Sequence, residues 1–108
     1  MKAIIVNEHG GPEVLTFVDV DSPCIGEGEV LVRIESAGIN FIDTYQRSGL
    51  YQIPLPSTLG LEAAGTVVET GAKVAGLNIG DRVAYTNVAG AYAEFAAVPA
   101  DKLVAIPE

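Results

Sequence analysis

The chain has 108 residues, a length that supports one domain with one modest core, burying about 65% of the surface its unfolded form would expose. Fourteen acidic against six basic side chains give a net charge of −8. The bases Lys2, Arg33, Arg47, Lys73, Arg82 and Lys102 are scattered without forming a stripe, which makes nucleic acid and anionic membrane poor partners.

Twelve glycines and a charged fraction of 19% argue for a turn-rich globular fold over disorder. The run Ala3-Ile4-Ile5-Val6 ahead of Asn7-Glu8 is too short for a signal-peptide core, and no run approaches the ~18 apolar residues of a membrane helix. The expectation is a soluble cytoplasmic protein with no membrane partner.

In chain order, residues 2–6 and 14–20 read as strands, the second rich in Val14, Leu15, Phe17, Val18 and Val20, with a turn at His9-Gly10-Gly11-Pro12 between them. Residues 30–34 form a third. Residues 41–48 are the helical exception. Asn40 suits the N-cap, because its side-chain oxygen can accept an orphan first-turn N–H, Asp43 sets negative charge near the positive end, and Gly49 can close the helix. Asp43 and Arg47, four apart, read as an exposed helical ion pair. Further strands follow at 63–69, 82–85, 91–98 and 103–106, at the spacing of a sandwich or barrel. Gly60 and Gly65 read as positions of a bend or close backbone approach in a barrel strand. The pattern predicts an all-β barrel with small helices.

The inventory of metal ligands is short: one Cys, Cys24, and one His, His9. A structural zinc site needs about four Cys or His ligands and a catalytic one usually three protein ligands, so no metal site is expected. Cys24 in Ser22-Pro23-Cys24-Ile25-Gly26 and His9 both read as turn residues.

Several segments, taken in order, carry a family resemblance that covers the whole chain. They are Met1-Lys2-Ala3-Ile4, the His9-Gly10-Gly11-Pro12-Glu13-Val14-Leu15 turn, Gly28-Glu29-Val30-Leu31-Val32, Asn40-Phe41-Ile42-Asp43-Thr44-Tyr45 with Arg47, Gly49, Leu50 and Tyr51, Gly60-Leu61-Glu62-Ala63-Ala64-Gly65, and Gly80-Asp81-Arg82-Val83. Together they resemble the zinc-independent quinone oxidoreductases, the zeta-crystallin-like branch of the medium-chain dehydrogenase/reductases. In the zinc alcohol dehydrogenases of that superfamily a Cys stands where Asn40 stands and a His where Leu61 stands. The cysteine-rich structural zinc lobe that would follow Val83 is replaced by Ala84-Tyr85-Thr86-Asn87-Val88-Ala89-Gly90.

The resemblance implies a GroES-like catalytic domain over residues 1–108, a partly open twisted β-barrel with one or more short helices. It also implies a Rossmann domain that holds NADPH and that these residues do not contain. The stretch Gly26-Glu27-Gly28-Glu29-Val30-Leu31 starts like a dinucleotide fingerprint but has Leu31 at the third glycine and precedes a strand instead of following one. On this reading the chain is the N-terminal part of a homo-oligomeric enzyme. By itself it is expected to be inactive or nearly so, and to self-associate through the face left bare.

Hydride transfer to a quinone or enone places negative charge on a carbonyl oxygen, and without a metal that charge falls to hydrogen-bond donors or solvent. The catalytic candidates are Asn40, Tyr45 and Tyr51. Aromatic rings can also stack on a flat quinone, so Tyr45, Tyr51 and Tyr92 are the substrate-pocket candidates. The resemblance sets residues 40–51 in the cleft between domains, making Asn40, Phe41 and Asp43 the candidates for contact with NADPH. Each has a plainer reading: Tyr45 packing beside Phe41 and Ile42, Asn40 as a cap only, and Tyr92 as a strand residue. Glu62, near the metal in zinc members, reads here as a structural carboxylate paired with Arg or backbone N–H groups. Two other functions stay open: a freestanding GroES-like module that binds a ligand or partner without catalysis, and a fragment of an enoyl-thioester reductase.

Overall fold

A computed structural model describes residues 1–107. Among these residues eight strands divide into two sheets. β1 (Lys2–Val6), β2 (Leu15–Asp19) and β4 (Ser57–Thr58) form a small sheet in the order β2-β1-β4. β3 (Glu29–Ala37), β5 (Glu62–Thr70), β6 (Arg82–Thr86), β7 (Phe95–Pro99) and β8 (Val104–Ala105) form a larger one in the order β7-β3-β5-β6-β8. All the strand pairs are antiparallel. Among the described residues the one α-helix, α1 (Phe41–Ser48), follows β3, and short 3-10 turns occupy Pro12–Val14 and Ala100–Lys102.

The larger sheet owes its core to period-2 alternation. Val30 and Val32 on β3, Ala63 and Val67 on β5, Val83 and Tyr85 on β6, and Ala96 and Val98 on β7 all turn inward and are buried. On β3 and β5 the intervening residues are half-buried or exposed. The small sheet adds Ala3 and Val6, both buried.

Residues 91–94 do not continue β7, which begins only at Phe95. The expected strand over 91–98 is thus shorter, because its first half is used to join the sheets. The Ile4 N–H donates to the Tyr92 carbonyl (2.9 Å), the Glu94 N–H to the Lys2 carbonyl (3.0 Å), and Ala3 bridges Ala93. The result is a partly open β-domain whose two sheets meet along one seam. β2 and β4 leave free edges on the small sheet, and β7 and β8 on the large one.

Two glycines make this geometry possible. Gly65 faces Ile34 beside a register shift between β3 and β5, and a Cβ there would lie 2.0 Å from the Arg33 carbonyl oxygen. Gly49 closes α1 in the left-handed region at φ 90°, a conformation glycine adopts without steric cost. The helix occupies the predicted span, and the two-residue β4, which carries no periodic signal, is the strand the sequence did not announce.

Candidate functional site

α1 is held at both ends. At its start Asn40 has the extended dihedrals of an N-cap (φ −129°, ψ 157°), and the Asp43 carboxylate reaches back to accept the Asn40 N–H at 3.0 Å. At its end the His9 loop is fastened on. His9 Nδ1 lies 2.9 Å from the Gln46 carbonyl and the Gly10 N–H donates to the Arg47 carbonyl at 2.9 Å. His9 is therefore the turn residue expected of it.

The expected Asp43–Arg47 ion pair is not formed. Asp43 is only 4% exposed and faces inward, where its Oδ2 accepts both the Asn40 N–H and the Tyr92 hydroxyl. Arg47 instead donates from Nε to the Gly10 carbonyl at 3.3 Å. A buried carboxylate takes the short donors already fixed around it in preference to a long side chain one turn away. Glu62 corrects a second expectation. Among the described residues the ion pairs are Lys2–Asp19, Arg33–Glu35 and Lys73–Glu27, and Glu62 instead lies against Gly38, where a Cβ would fall 1.9 Å from its Oε1.

Asn40 stands at the turn between β3 and α1. The Gly38 N–H donates to the Glu62 carbonyl at 3.1 Å, which lays residues 38–40 alongside Leu61 and Glu62. Asn40 and Leu61 are both half-buried. A cleft of about 330 Å³ opens here, lined by Ile39, Asn40, Phe41 and Thr44. Ile39 and Phe41 on its rim are 84% and 81% exposed, a large apolar exposure for a folded chain.

Tyr45 and Tyr51 come together. The Tyr51 N–H donates to the Tyr45 carbonyl at 3.1 Å, and the two rings meet edge to face with centroids 5.6 Å apart at 76°. Both remain partly exposed. Phe41 and Tyr45 are one helical turn apart and share the open face. Tyr92 is not part of this corner. Asp43, which it touches, is two residues from Tyr45 and so points roughly 200° away around the helix. Tyr92 with Asp43 borders a second cavity of about 300 Å³, walled by Ile4, Leu15 and Leu59 and adjoining the Asn40 cleft through Ile39 and Thr44, which line both. Burial first, then the Asp43 hydrogen bond and the Asp43 and Glu62 charges, push its phenol upward from the usual range. On β6, burial pushes the Tyr85 phenol up to about 12, and its hydroxyl has no hydrogen-bond partner among the described residues.

The glycines at 26 and 28 do not form the phosphate turn of a dinucleotide fingerprint. Residues 26–28 form a turn into β3, where the Gly26 N–H is taken by the Glu29 side chain at 2.8 Å, and no helix N-terminus follows to receive a diphosphate. Among the described residues no group of three or more His, Cys, Asp or Glu side chains lies close enough to share a metal ion. Cys24 is exposed and free. No helix among the described residues is long and apolar enough to cross a membrane.

What sequence reasoning missed is the pairing of Tyr92 with Asp43, 49 residues apart. The available signal was Gly60, at φ 94°, where a Cβ would meet the Tyr92 ring at 2.8 Å.

The fold and this region define a GroES-like β-domain whose polar site sits at the start of α1. Residues 26–108 match the alcohol dehydrogenase GroES-like domain, and the chain belongs to that family. It is 49% identical over 109 aligned positions to a quinone oxidoreductase of Pseudomonas aeruginosa, covering 99% of this chain and 34% of that protein. It superposes on the quinone oxidoreductase of Escherichia coli, solved in complex with NADPH, with a TM-score of 0.96 at 46% identity, over 99% of this chain and 33% of that one. A mycobacterial protein solved with NADPH gives a TM-score of 0.95 at 46% identity, over all of this chain and 34% of the other. The chain thus spans about a third of the length of the relatives it matches.

Proposed function

We propose that this chain is the substrate-side, N-terminal domain of an NADPH-dependent quinone reductase that works without zinc in the cytoplasm. The observation that carries the reading is the edge-to-face pair of Tyr45 and Tyr51 on the segment that Asn40 opens as N-cap, in a domain nearly half identical to quinone oxidoreductases. NADPH belongs chiefly to a cofactor domain outside these residues, and its nicotinamide, when bound, supplies the hydride. What this chain contributes is the acceptor's surroundings. Asn40, Tyr45 and Tyr51 are the hydrogen-bond donors for the oxygen that gains charge as a quinone or enone is reduced, and the two phenol rings flank a flat acceptor.

Asn40 and the exposed Phe41 are the residues that meet the nicotinamide end of the cofactor. Asp43, buried and already bonded, acts on it through Asn40. Leu61 and Asn40, at the positions where the zinc enzymes carry His and Cys, offer no such metal ligands, which supports reduction by hydrogen bonding instead of Lewis-acid polarisation. The intact enzyme is a homo-oligomer on this reading, and the isolated chain has little or no activity because the cofactor's phosphates have no seat in it.

A chimera tests the proposal, with this chain replacing the matching third of the Pseudomonas aeruginosa quinone oxidoreductase. It is expected to oxidise NADPH in the presence of 1,4-benzoquinone, while the free chain does not. A folded chimera that binds NADPH but reduces neither quinone nor enone contradicts the reading and favours a binding module.

A further inference from the structure

Tyr92 lies away from the exposed tyrosine pair yet is tied to the turn that carries Asn40. Its hydroxyl donates to Asp43 Oδ2, the same oxygen that accepts the Asn40 N–H at 3.0 Å, and lies 3.5 Å from the Gly38 carbonyl oxygen. One phenol therefore reaches both sides of the turn between β3 and α1. Tyr92 is itself fixed to the small sheet and its approach. Its N–H donates to the Leu59 carbonyl at 3.0 Å and its carbonyl accepts the Ile4 N–H at 2.9 Å. The ring fills the space left by the missing Cβ of Gly60.

Asp43 makes this contact consequential. Its Oδ1 is buried with no partner among the described residues, so the donors on Oδ2 are what hold a desolvated carboxylate in place. Removing one of them leaves that carboxylate under-satisfied directly beneath the Asn40 amide. A role in packing alone would require the ring of Tyr92 and not its hydroxyl.

We infer that Tyr92 is a positioning residue which, through Asp43, sets the turn at residues 38–40 and thereby the direction in which Asn40 faces its cleft. The placement stands on this geometry. Its consequence for catalysis rests on the reading of Asn40 as a site residue. Burial and the neighbouring carboxylates raise the Tyr92 phenol, so the hydroxyl remains a donor at neutral and mildly alkaline pH.

The test is amide hydrogen exchange by NMR on the 108-residue chain carrying Tyr92→Phe, which keeps the ring. The Asn40 amide resonance is expected to shift and its protection to fall about tenfold, the scale of one lost hydrogen bond to a charged group, while β3 and β5 amides keep theirs. Asp43→Asn, which retains an acceptor oxygen, is expected to preserve most of the Asn40 protection that Asp43→Ala abolishes. An unmoved Asn40 amide in Tyr92→Phe overturns the inference, and so does an equal loss across both sheets, which marks a purely structural role. In the chimera, Tyr92→Phe is expected to lower kcat about tenfold with little change in KM, and an unchanged kcat beside a displaced Asn40 overturns the catalytic consequence. An inactive chimera with Tyr92 intact counts against the reductase reading, while the exchange data still decide the positioning one.

Discussion

Single side chains divide this domain into groups that face outward and groups that hold the outward ones in place. Tyr45 and Tyr51 are offered to solvent as an edge-to-face pair. Replacing either with Phe keeps the aromatic contact and removes one donor, so kcat/KM of the chimera is expected to fall about 10- to 100-fold, at or below the usual effect of one oxyanion donor. Full activity in the double Phe variant would rule out a hydrogen-bonding role for the pair. Tyr85 is instead a buried core residue of β6. Its phenol is raised to about 12 in the fold from about 10 when unfolded, so below pH 10 both states keep the proton and nothing is lost. Between pH 10 and 12 the unfolded chain gives up that proton first, and stability declines by about 2–3 kcal/mol. Urea midpoints across that window are expected to drop for the parent chain and to drop less for Tyr85→Phe; equal slopes would show that Tyr85 is not the cause.

α1 was legible to the residue because three local signals agreed: Asn40 before it, an acid in its first turn and Gly49 after it. The long strands were legible from their β-branched runs. What local pattern could not show was that residues 91–94 leave their own sheet to pair with β1, or that Asp43 turns inward to Tyr92 and away from Arg47. Both depend on partners far away in the chain, and an i, i+4 spacing carries no information about which face of a helix is buried. The close approach at Gly65 was legible for the opposite reason, since a glycine inside a strand forgoes side-chain packing and so marks a bulge, a bend or two backbones in contact. Gly65→Ala drives a methyl group into the Arg33 carbonyl and is expected to cost about 3 kcal/mol or more, at the upper end of overpacking effects. Gly49→Ala, which strains the left-handed cap and presses on the His9 ring at 3.0 Å, is expected to cost about 1–2 kcal/mol. Thermal melts of the two variants that fall in the reverse order would refute the close β3–β5 contact as the reason for Gly65.

The whole molecule presents an unbalanced surface. Ile39, Phe41, Leu50 and Tyr51 fall within a short stretch around α1, and Leu50 is 68% exposed, which is the face that the proposed site needs open. Apolar exposure of this kind drives association, so sedimentation of the isolated chain is expected to show concentration-dependent self-association that Phe41→Ser weakens. A clean monomer at high concentration, with no binding of an apolar dye, would speak against this face being one that is normally covered. The net charge of −8 opposes such association at low salt and is screened as salt rises, so the effect is expected to strengthen with ionic strength.

Zinc-free reduction of a quinone beside Asn40, Tyr45 and Tyr51, as proposed above, is tested by NADPH-dependent benzoquinone reduction by the chimera after exhaustive treatment with a strong zinc chelator. The rate is expected to be unchanged by chelation and sharply lowered by Asn40→Ala. A rate lost on chelation and restored by added zinc would contradict zinc-free reduction.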